Sequence, residues 1–187
     1  RVMGLSLSYI GFYFLIQGSV MFISQPIWVR IVSKIGKKRS YYLASLIWGL
    51  GALSWMLASQ GETNAGIIAR GILLGIGAGG LLLVGQSMLP DTMQYDFQKS
   101  GQRREGILAG VYTTVEKLSF AIGPSILGLI LGLSGYNPNE TIQIDNVIKI
   151  IYLSAGGFPV ITLIISCLLM FFYNVNEETL KEKQKDT

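Results

Sequence analysis

The chain of 187 residues is half apolar, has only 14% charged residues and has a positive mean hydropathy. A soluble domain of this size carries roughly a quarter charged residues, so the composition disfavours a soluble fold. Histidine is absent, which removes the commonest general base and metal ligand. The single cysteine, Cys167, excludes an internal disulfide framework. We therefore expect no enzyme, no metal site and no covalently bound cofactor.

Five long apolar stretches predict transmembrane helices. Each is long enough to cross a hydrocarbon layer of ~30 Å, and unpaired backbone groups in lipid are avoided only by helices or closed barrels. The stretches cover residues 4–31, 41–58, 65–89, 107–133 and 147–173. Residues 1–173 are thus predicted to be an all-α integral membrane bundle. Residues 174–187 are predicted to be a cytoplasmic tail in which Asn176 begins a short helix.

Lysine and arginine predict the orientation of the bundle. They are concentrated after the first and third spans and in the tail, whereas residues 59–64 and 134–146 contain none. The positive-inside rule places the basic side in the cytoplasm, with Arg1 outside and Thr187 inside. This placement accounts for the formal charge of +4 without a nucleic-acid partner. The chain begins at Arg1 without a signal-peptide pattern, so we expect it to be part of a longer protein.

Glycines at intervals of four residues predict close helix packing. Gly71, Gly75 and Gly79 form such a series in the third span, and Gly128 and Gly132 form a step in the fourth. Small residues at this spacing let helix backbones approach one another in a membrane.

The fourth span contains two ionisable residues, Glu116 and Lys117, roughly 15 Å from its predicted cytoplasmic end. Charges at such depth usually face a cavity or a partner and mark ion or substrate paths. Thr113 shares the face of Lys117, and Tyr112 is a further polar candidate. We predict that these four residues line a substrate or cation pathway. An ion pair between helices is the alternative, and a non-transporting scaffold subunit would not need these charges.

Charges of both signs follow Pro90, at spacings that allow pairing between helix ends. A solvated charge run is one explanation, and a gate that breaks and reforms is the other. The gating hypothesis concerns Asp91, Tyr95, Asp96, Arg103 and Glu105.

These residues carry a resemblance to a known family. The motif consists of Asp91, Tyr95-Asp96, Lys99, Gly101, Arg103 and Glu105-Gly106, followed by Lys117 in the next span. It resembles the glycoside–pentoside–hexuronide:cation symporters of the major facilitator superfamily. Pro26, Gly36-Lys37-Lys38 and Gly135-Tyr136-Asn137-Pro138 support the resemblance.

The resemblance implies a cation-coupled symporter of a sugar or glycoside that works by alternating access in a bacterial inner membrane. The five spans would be the eighth to twelfth helices of a twelve-helix fold, an incomplete C-terminal six-helix half whose partner is the N-terminal half. It also implies that Lys117 lies near the site of the coupling cation, sodium or a proton, and Thr113 on the sugar side. Asp91, Arg103 and Glu105 would belong to a cytoplasmic gating loop.

A second branch of the superfamily is also similar. Ser87-Met88-Leu89-Pro90-Asp91 and Pro26-Ile27-Trp28 look like the animal lysolipid symporters. Leu82 stands where the sugar branch has a tryptophan, and Asp96-Phe97 replaces a glycine-glutamate pair. An amphipathic lipid substrate is therefore the alternative to a sugar.

Overall fold

A computed structural model describes residues 7–58, 62–140 and 143–175, and over these residues the chain is helical without a strand. The helices are α1 (Leu7–Ile35), α2 (Lys37–Leu53), α3 (Asn64–Ser100), α4 (Glu105–Leu133), α5 (Asp145–Tyr152) and α6 (Phe158–Phe171). A 3₁₀ turn over Ser54–Leu57 extends α2, and a π-helical segment over Leu153–Gly157 joins α5 to α6. The predicted all-α class is confirmed. The predicted tail helix lies outside the described residues.

Four helical segments in the described ranges are long and apolar enough to cross a membrane. They are Tyr9–Ile35, Asn64–Ser100, Glu105–Leu133 and Asp145–Phe171. The 17 residues of α2 span only about 25 Å. The 3₁₀ turn adds about 8 Å, which brings the second segment to the thickness of the hydrocarbon layer. Each of the five predicted spans overlaps a helical segment of the described residues, and the span boundaries and the crossing by α2 stay predictions.

Helix α3 is longer than the sequence indicates. The predicted span covers residues 65–89, but α3 continues through Pro90 to Ser100. The residues after Pro90 contain no further glycine or proline until Gly101, which adopts φ +67° and accepts the left-handed conformation that ends many helices. The backbone N–H of Gly101 donates to the carbonyl of Phe97 at 2.8 Å. The segment predicted to be a loop after Pro90 is therefore mostly the end of a helix.

The core forms where α3 packs between α1 and α2. A Cβ atom on Gly75 would lie 2.7 Å from the carbonyl oxygen of Gln17 in α1. A Cβ atom on Gly77 would lie 2.6 Å from the backbone nitrogen of Trp48 in α2. No side chain fits at such distances, so the backbones are in direct contact, as the glycine spacing in this span predicts.

A buried tryptophan, Trp28, stabilises the interface between α1 and α3. Trp28 of α1 is 2% exposed, and its indole Nε1–H donates to the carbonyl oxygen of Ile76 at 2.8 Å. Its ring occupies the space beside Gly80, where a Cβ atom would lie 2.5 Å from it. The glycine thus makes room for the largest side chain of the core, and the indole N–H is satisfied by a backbone group.

Helix α4 lies at the edge of the bundle. It contacts α3 and α5 at only a few positions, and none of its residues is buried by the described part of the chain. Gly128 and Gly132 have no neighbouring atom within 4 Å of an added Cβ. Their spacing therefore does not mark a helix contact within the described ranges, in contrast to the glycines of α3.

We predict that Gly77→Ala destabilises the protein by about 1–3 kcal/mol, because the methyl group must displace the backbone of α2. Thermal unfolding of the purified protein in detergent measures the change. Gly85→Ala in the same helix is the control, since an added Cβ there meets no atom within 4 Å. Equal melting temperatures for the two variants would contradict the proposed backbone contact.

Candidate functional site

Two ion pairs lie at the basic end of the bundle, near the α1–α2 and α3–α4 connections. The first joins Lys37 Nζ at the start of α2 to Asp91 Oδ2 in α3, 2.5 Å apart. The ammonium group also donates to the carbonyl of Ser87 at 3.2 Å. Both side chains are largely shielded from solvent, with exposed fractions of 23% and 17%. The pair therefore fixes the start of α2 against the last third of α3.

A cavity of about 460 Å³, lined by both polar and apolar side chains, surrounds this ion pair. Its lining includes Lys37, Lys38, Ser87, Asp91 and Val175. Another residue near Asp91 is Tyr173, which follows the last apolar helix. Burial raises the pKa of the Tyr173 phenol, and the negative charge of Asp91 raises it further. The phenol is thus held in its neutral form beside the carboxylate.

The second ion pair joins α3 to the connection that leads into α4. Arg104 forms two parallel hydrogen bonds with Asp96, from Nη2 to Oδ1 at 2.8 Å and from Nε to Oδ2 at 3.1 Å. This fork geometry is the strongest arrangement of a guanidinium and a carboxylate. The side chains are more exposed than those of the first pair, so water weakens the attraction.

The other residues of the predicted gate have different positions. Arg103 places its guanidinium over the ring of Phe97, 5.4 Å from the centroid, and Glu105 is the first residue of α4. Tyr95 is half-buried in α3. Asp91, Tyr95 and Asp96 thus lie on a helix, and only Arg103 of the five lies in the connection. One acid of this segment, Asp96, pairs with an arginine, and that arginine is Arg104, which the gating hypothesis did not name.

The predicted pathway residues occupy two faces of α4. Tyr112 and Glu116 are one turn apart on a half-exposed face, and Thr113 and Lys117 are one turn apart on an exposed face. The amide of Gln86 in α3 donates to the hydroxyl of Tyr112 at 3.3 Å, which joins α3 to α4. The structure therefore brings Tyr112 to α3, while Thr113 and Lys117 point away from the core.

No described carboxylate or amine pairs with Glu116 or Lys117. Lys117 lies about 18 Å along the helix from Glu105. Two charges therefore stand in the middle of an apolar helix without a counter-ion in the described residues. Such charges are costly in hydrocarbon unless water or another polar surface reaches them.

One buried arginine, Arg70, was not among the residues predicted from the sequence. Arg70, in the second turn of α3, is 7% exposed, and its Nη1 lies 2.6 Å from Glu62 Oε2. Its Nε–H donates to the carbonyl of Ser54 at 3.1 Å, and its guanidinium lies over the ring of Trp55 at 5.2 Å. Arg70 thus binds the end of α2 to the start of α3. An arginine inside an apolar stretch was the available signal.

At the basic end of the bundle, Lys38 joins the start of α2 to the end of α6 in a similar way. Lys38 Nζ donates to the carbonyl oxygens of Phe171 at 2.8 Å and of Tyr173 at 2.9 Å. These carbonyls lie at and just beyond the end of α6, where unpaired acceptors and the negative end of the helix dipole favour a cation. This contact with the end of α6 was not predicted from the sequence.

Comparison with known proteins identifies the family. Residues 1–177 match the family described as MFS/sugar transport protein. The chain is 30% identical to a glucuronide carrier protein homolog of Escherichia coli, over 85% of this chain and 34% of that protein. It is 30% identical to an isoprimeverose transporter of Lactiplantibacillus pentosus, over 77% of this chain and 30% of that protein.

A transporter of a lipid is also similar. The chain is 29% identical to a sphingosine-1-phosphate transporter of Xenopus tropicalis, over 87% of this chain and 31% of that protein. The chain spans about a third of the length of these curated relatives.

The family match confirms the resemblance that the charged motif and Lys117 carried. The apolar helices and this match together make the chain an integral membrane protein. The chain belongs to the MFS/sugar transport family of the major facilitator superfamily.

Proposed function

We propose that this chain forms part of a secondary active transporter that carries a sugar or related small solute together with a cation. The observation that carries the proposal is the pair of charges, Glu116 and Lys117, in the middle of α4 without a counter-ion in the described ranges. A helix that faced only lipid would not retain two such groups. Their surroundings are therefore an aqueous pathway or a polar surface elsewhere in the protein.

The family and the names of two relatives support the substrate class. A glucuronide and isoprimeverose are both sugars, and the relatives with these names share about 30% of aligned residues with this chain. In alternating access, one helical bundle rocks against another around a site near the middle of the membrane. Lys117 and Thr113 face away from α1–α3, which suits a site shared with the N-terminal half. The coupling cation is proposed to be sodium or a proton.

The basic end is proposed to face the cytoplasm of a bacterial inner membrane, with the C-terminus on the same side. The positive-inside distribution of lysine and arginine supports this orientation. At this end, the ion pairs Lys37–Asp91 and Asp96–Arg104 are proposed to act with Tyr95, Arg103 and Glu105 as a gate. The first pair joins α2 to α3 and the second joins α3 to the connection that leads into α4, so relative movement of these elements would break them.

A second candidate substrate is a lysolipid or a related amphipathic lipid. The similarity to a sphingosine-1-phosphate transporter favours it. A lysolipid needs an apolar surface beside a polar headgroup site, and the exposed aliphatic side chains of α4 beside Lys117 provide both. Uptake assays with sugars and with lysolipids, on the intact protein in vesicles, distinguish the two substrates.

Lys117→Ala is expected to lower gradient-driven uptake about tenfold or more while the amount of protein in the membrane is unchanged. A charged group that contributes ~1.4 kcal/mol to the rate-limiting barrier accounts for this factor. Uptake of a labelled substrate into vesicles, divided by transporter abundance, measures the effect.

Lys149→Ala is the matched control for this measurement. Lys149 is an exposed lysine in α5, four residues after Asp145, and it is not a predicted pathway residue. Normal accumulation by Lys117→Ala, or an equal loss in both variants, would refute the pathway assignment.

Lys37→Gln and Asp91→Asn are each expected to change the initial rate of uptake, because each leaves the other charge unpaired in a partly buried cavity. A double-mutant cycle on the rates should give a coupling of about 0.5–3 kcal/mol. Lys34→Gln, at an exposed lysine near the same end, should leave the rate unchanged. Additive effects of the two substitutions would show that the ion pair has no part in gating.

A further inference from the structure

A long apolar groove of about 500 Å³ runs between α2 and α6. Aliphatic side chains form most of its lining, among them Leu46, Leu50, Leu53, Leu163, Ile164 and Leu168. On α2 these residues lie opposite Ala44 and Trp48, which face α3. The groove therefore opens on the surface of the bundle that is turned away from α3.

Polar contacts hold the two helices together at one end of the groove. The hydroxyls of Tyr41 and Ser166 lie 2.5 Å apart, and the hydroxyl of Tyr42 donates to the carbonyl of Cys167 at 3.2 Å. Farther along, a Cβ atom on Gly49 would lie 3.2 Å from Leu163, so the helices are in contact there as well. The floor of the groove is thus formed by the helix pair itself.

Positive charge lies at the mouth of the groove. Arg39 precedes Tyr42 by three residues and Leu46 by seven, which places it on the groove face of α2. Its side chain is exposed, and the part of the chain that the structure describes offers it no ion-pair partner. Lys38 adds a second cation beside the end of α6. Two cations therefore lie where the apolar groove opens.

The length of the groove fits one leaflet of a bilayer. From Tyr42 to Leu53 the helix rises about 16 Å, and half of the hydrocarbon layer is ~15 Å thick. A lipid whose phosphate lies at Arg39 would thus reach the end of the groove with its acyl chain. Basic sites of this kind between membrane helices bind anionic headgroups.

We propose that this groove is a binding site for an anionic phospholipid of the leaflet at the basic end. The phosphate binds Arg39, with Lys38 nearby, and one acyl chain fills the groove between α2 and α6. A further helix is a poorer occupant, because helix contacts in membranes use small residues, as α3 does with Gly75 and Gly77. The groove instead presents long, branched side chains.

Native mass spectrometry of the intact protein tests the headgroup contact. The protein is incubated with equal amounts of phosphatidylglycerol and phosphatidylcholine, and retention of each lipid is measured. We expect preferential retention of phosphatidylglycerol, reduced about fivefold in Arg39→Gln and unchanged in Lys34→Gln. Equal retention of the two lipids, or equal losses in the two variants, would overturn the proposal.

A second pair of variants tests the groove without changing any charge. Leu46→Trp, which fills the groove, should lower phosphatidylglycerol retention. Ile23→Trp, on the exposed face of α1, should leave it unchanged. Melting temperatures confirm that the variants are folded. Cross-linking of a cysteine in place of Leu46 to a helix other than α2 and α6, in a protein with Cys167→Ser, would show that protein occupies the groove and would refute the lipid site.

Discussion

The direct backbone contact of α3 with α1 and α2 positions both the Lys37–Asp91 ion pair and the groove between α2 and α6. Apolar side chains gain little by leaving lipid for one another, so helices in a membrane are held by close packing and by hydrogen bonds. Gly75 and Gly77 allow that packing, and Trp28 adds a hydrogen bond to the carbonyl of Ile76. This contact fixes the start of α2 relative to α3. It thereby brings Lys37 to Asp91 and directs the opposite face of α2 toward α6.

Three ion pairs near the ends of the bundle contrast with two charged residues in the middle of α4. At the two ends of the bundle, Arg70 pairs with Glu62, Lys37 with Asp91 and Arg104 with Asp96. These pairs join neighbouring helices or their connections, so each opposes separation of the elements that it joins. Glu116 and Lys117 differ, because they lie in the middle of α4 and no described residue neutralises them. This contrast is the physical basis for the proposal that a transport pathway passes α4.

Much of the helical organisation could be predicted from hydropathy, because a chain in lipid must bury its backbone polar groups in helices. The helix α3 continues past the predicted span 65–89 and through Pro90 to Ser100, and it ends at Gly101. A proline removes one hydrogen bond, whereas a glycine with positive φ reverses the chain. The glycine spacing identified the contacts of Gly75, but within the described residues Gly128, which has the same spacing, contacts no other helix. Spacing specifies a face of a helix and does not specify what covers that face.

The candidate site was harder to predict than the fold. Motif and charge located the acidic and basic residues of the α3–α4 region, but the arginine that pairs with Asp96 is Arg104. That outcome depends on the backbone path between Gly101 and Glu105, which no helical periodicity determines. Arg70 was missed because its partner, Glu62, precedes α3 and its other contacts come from the end of α2. A sequence does not show such a pairing until the connection between two helices is folded.

The junction between α1 and α2 consists of Gly36 alone, which adopts φ +81°. The helices α1 and α2 therefore meet at a sharp corner, and only the backbone dihedral angles of Gly36 can change between them. Since Lys37 follows that corner immediately, any tilt of α1 is transmitted to its ammonium group and so to Asp91. Small rotations of α1 in the membrane would thus change the distance between the charges of Lys37 and Asp91 near its surface.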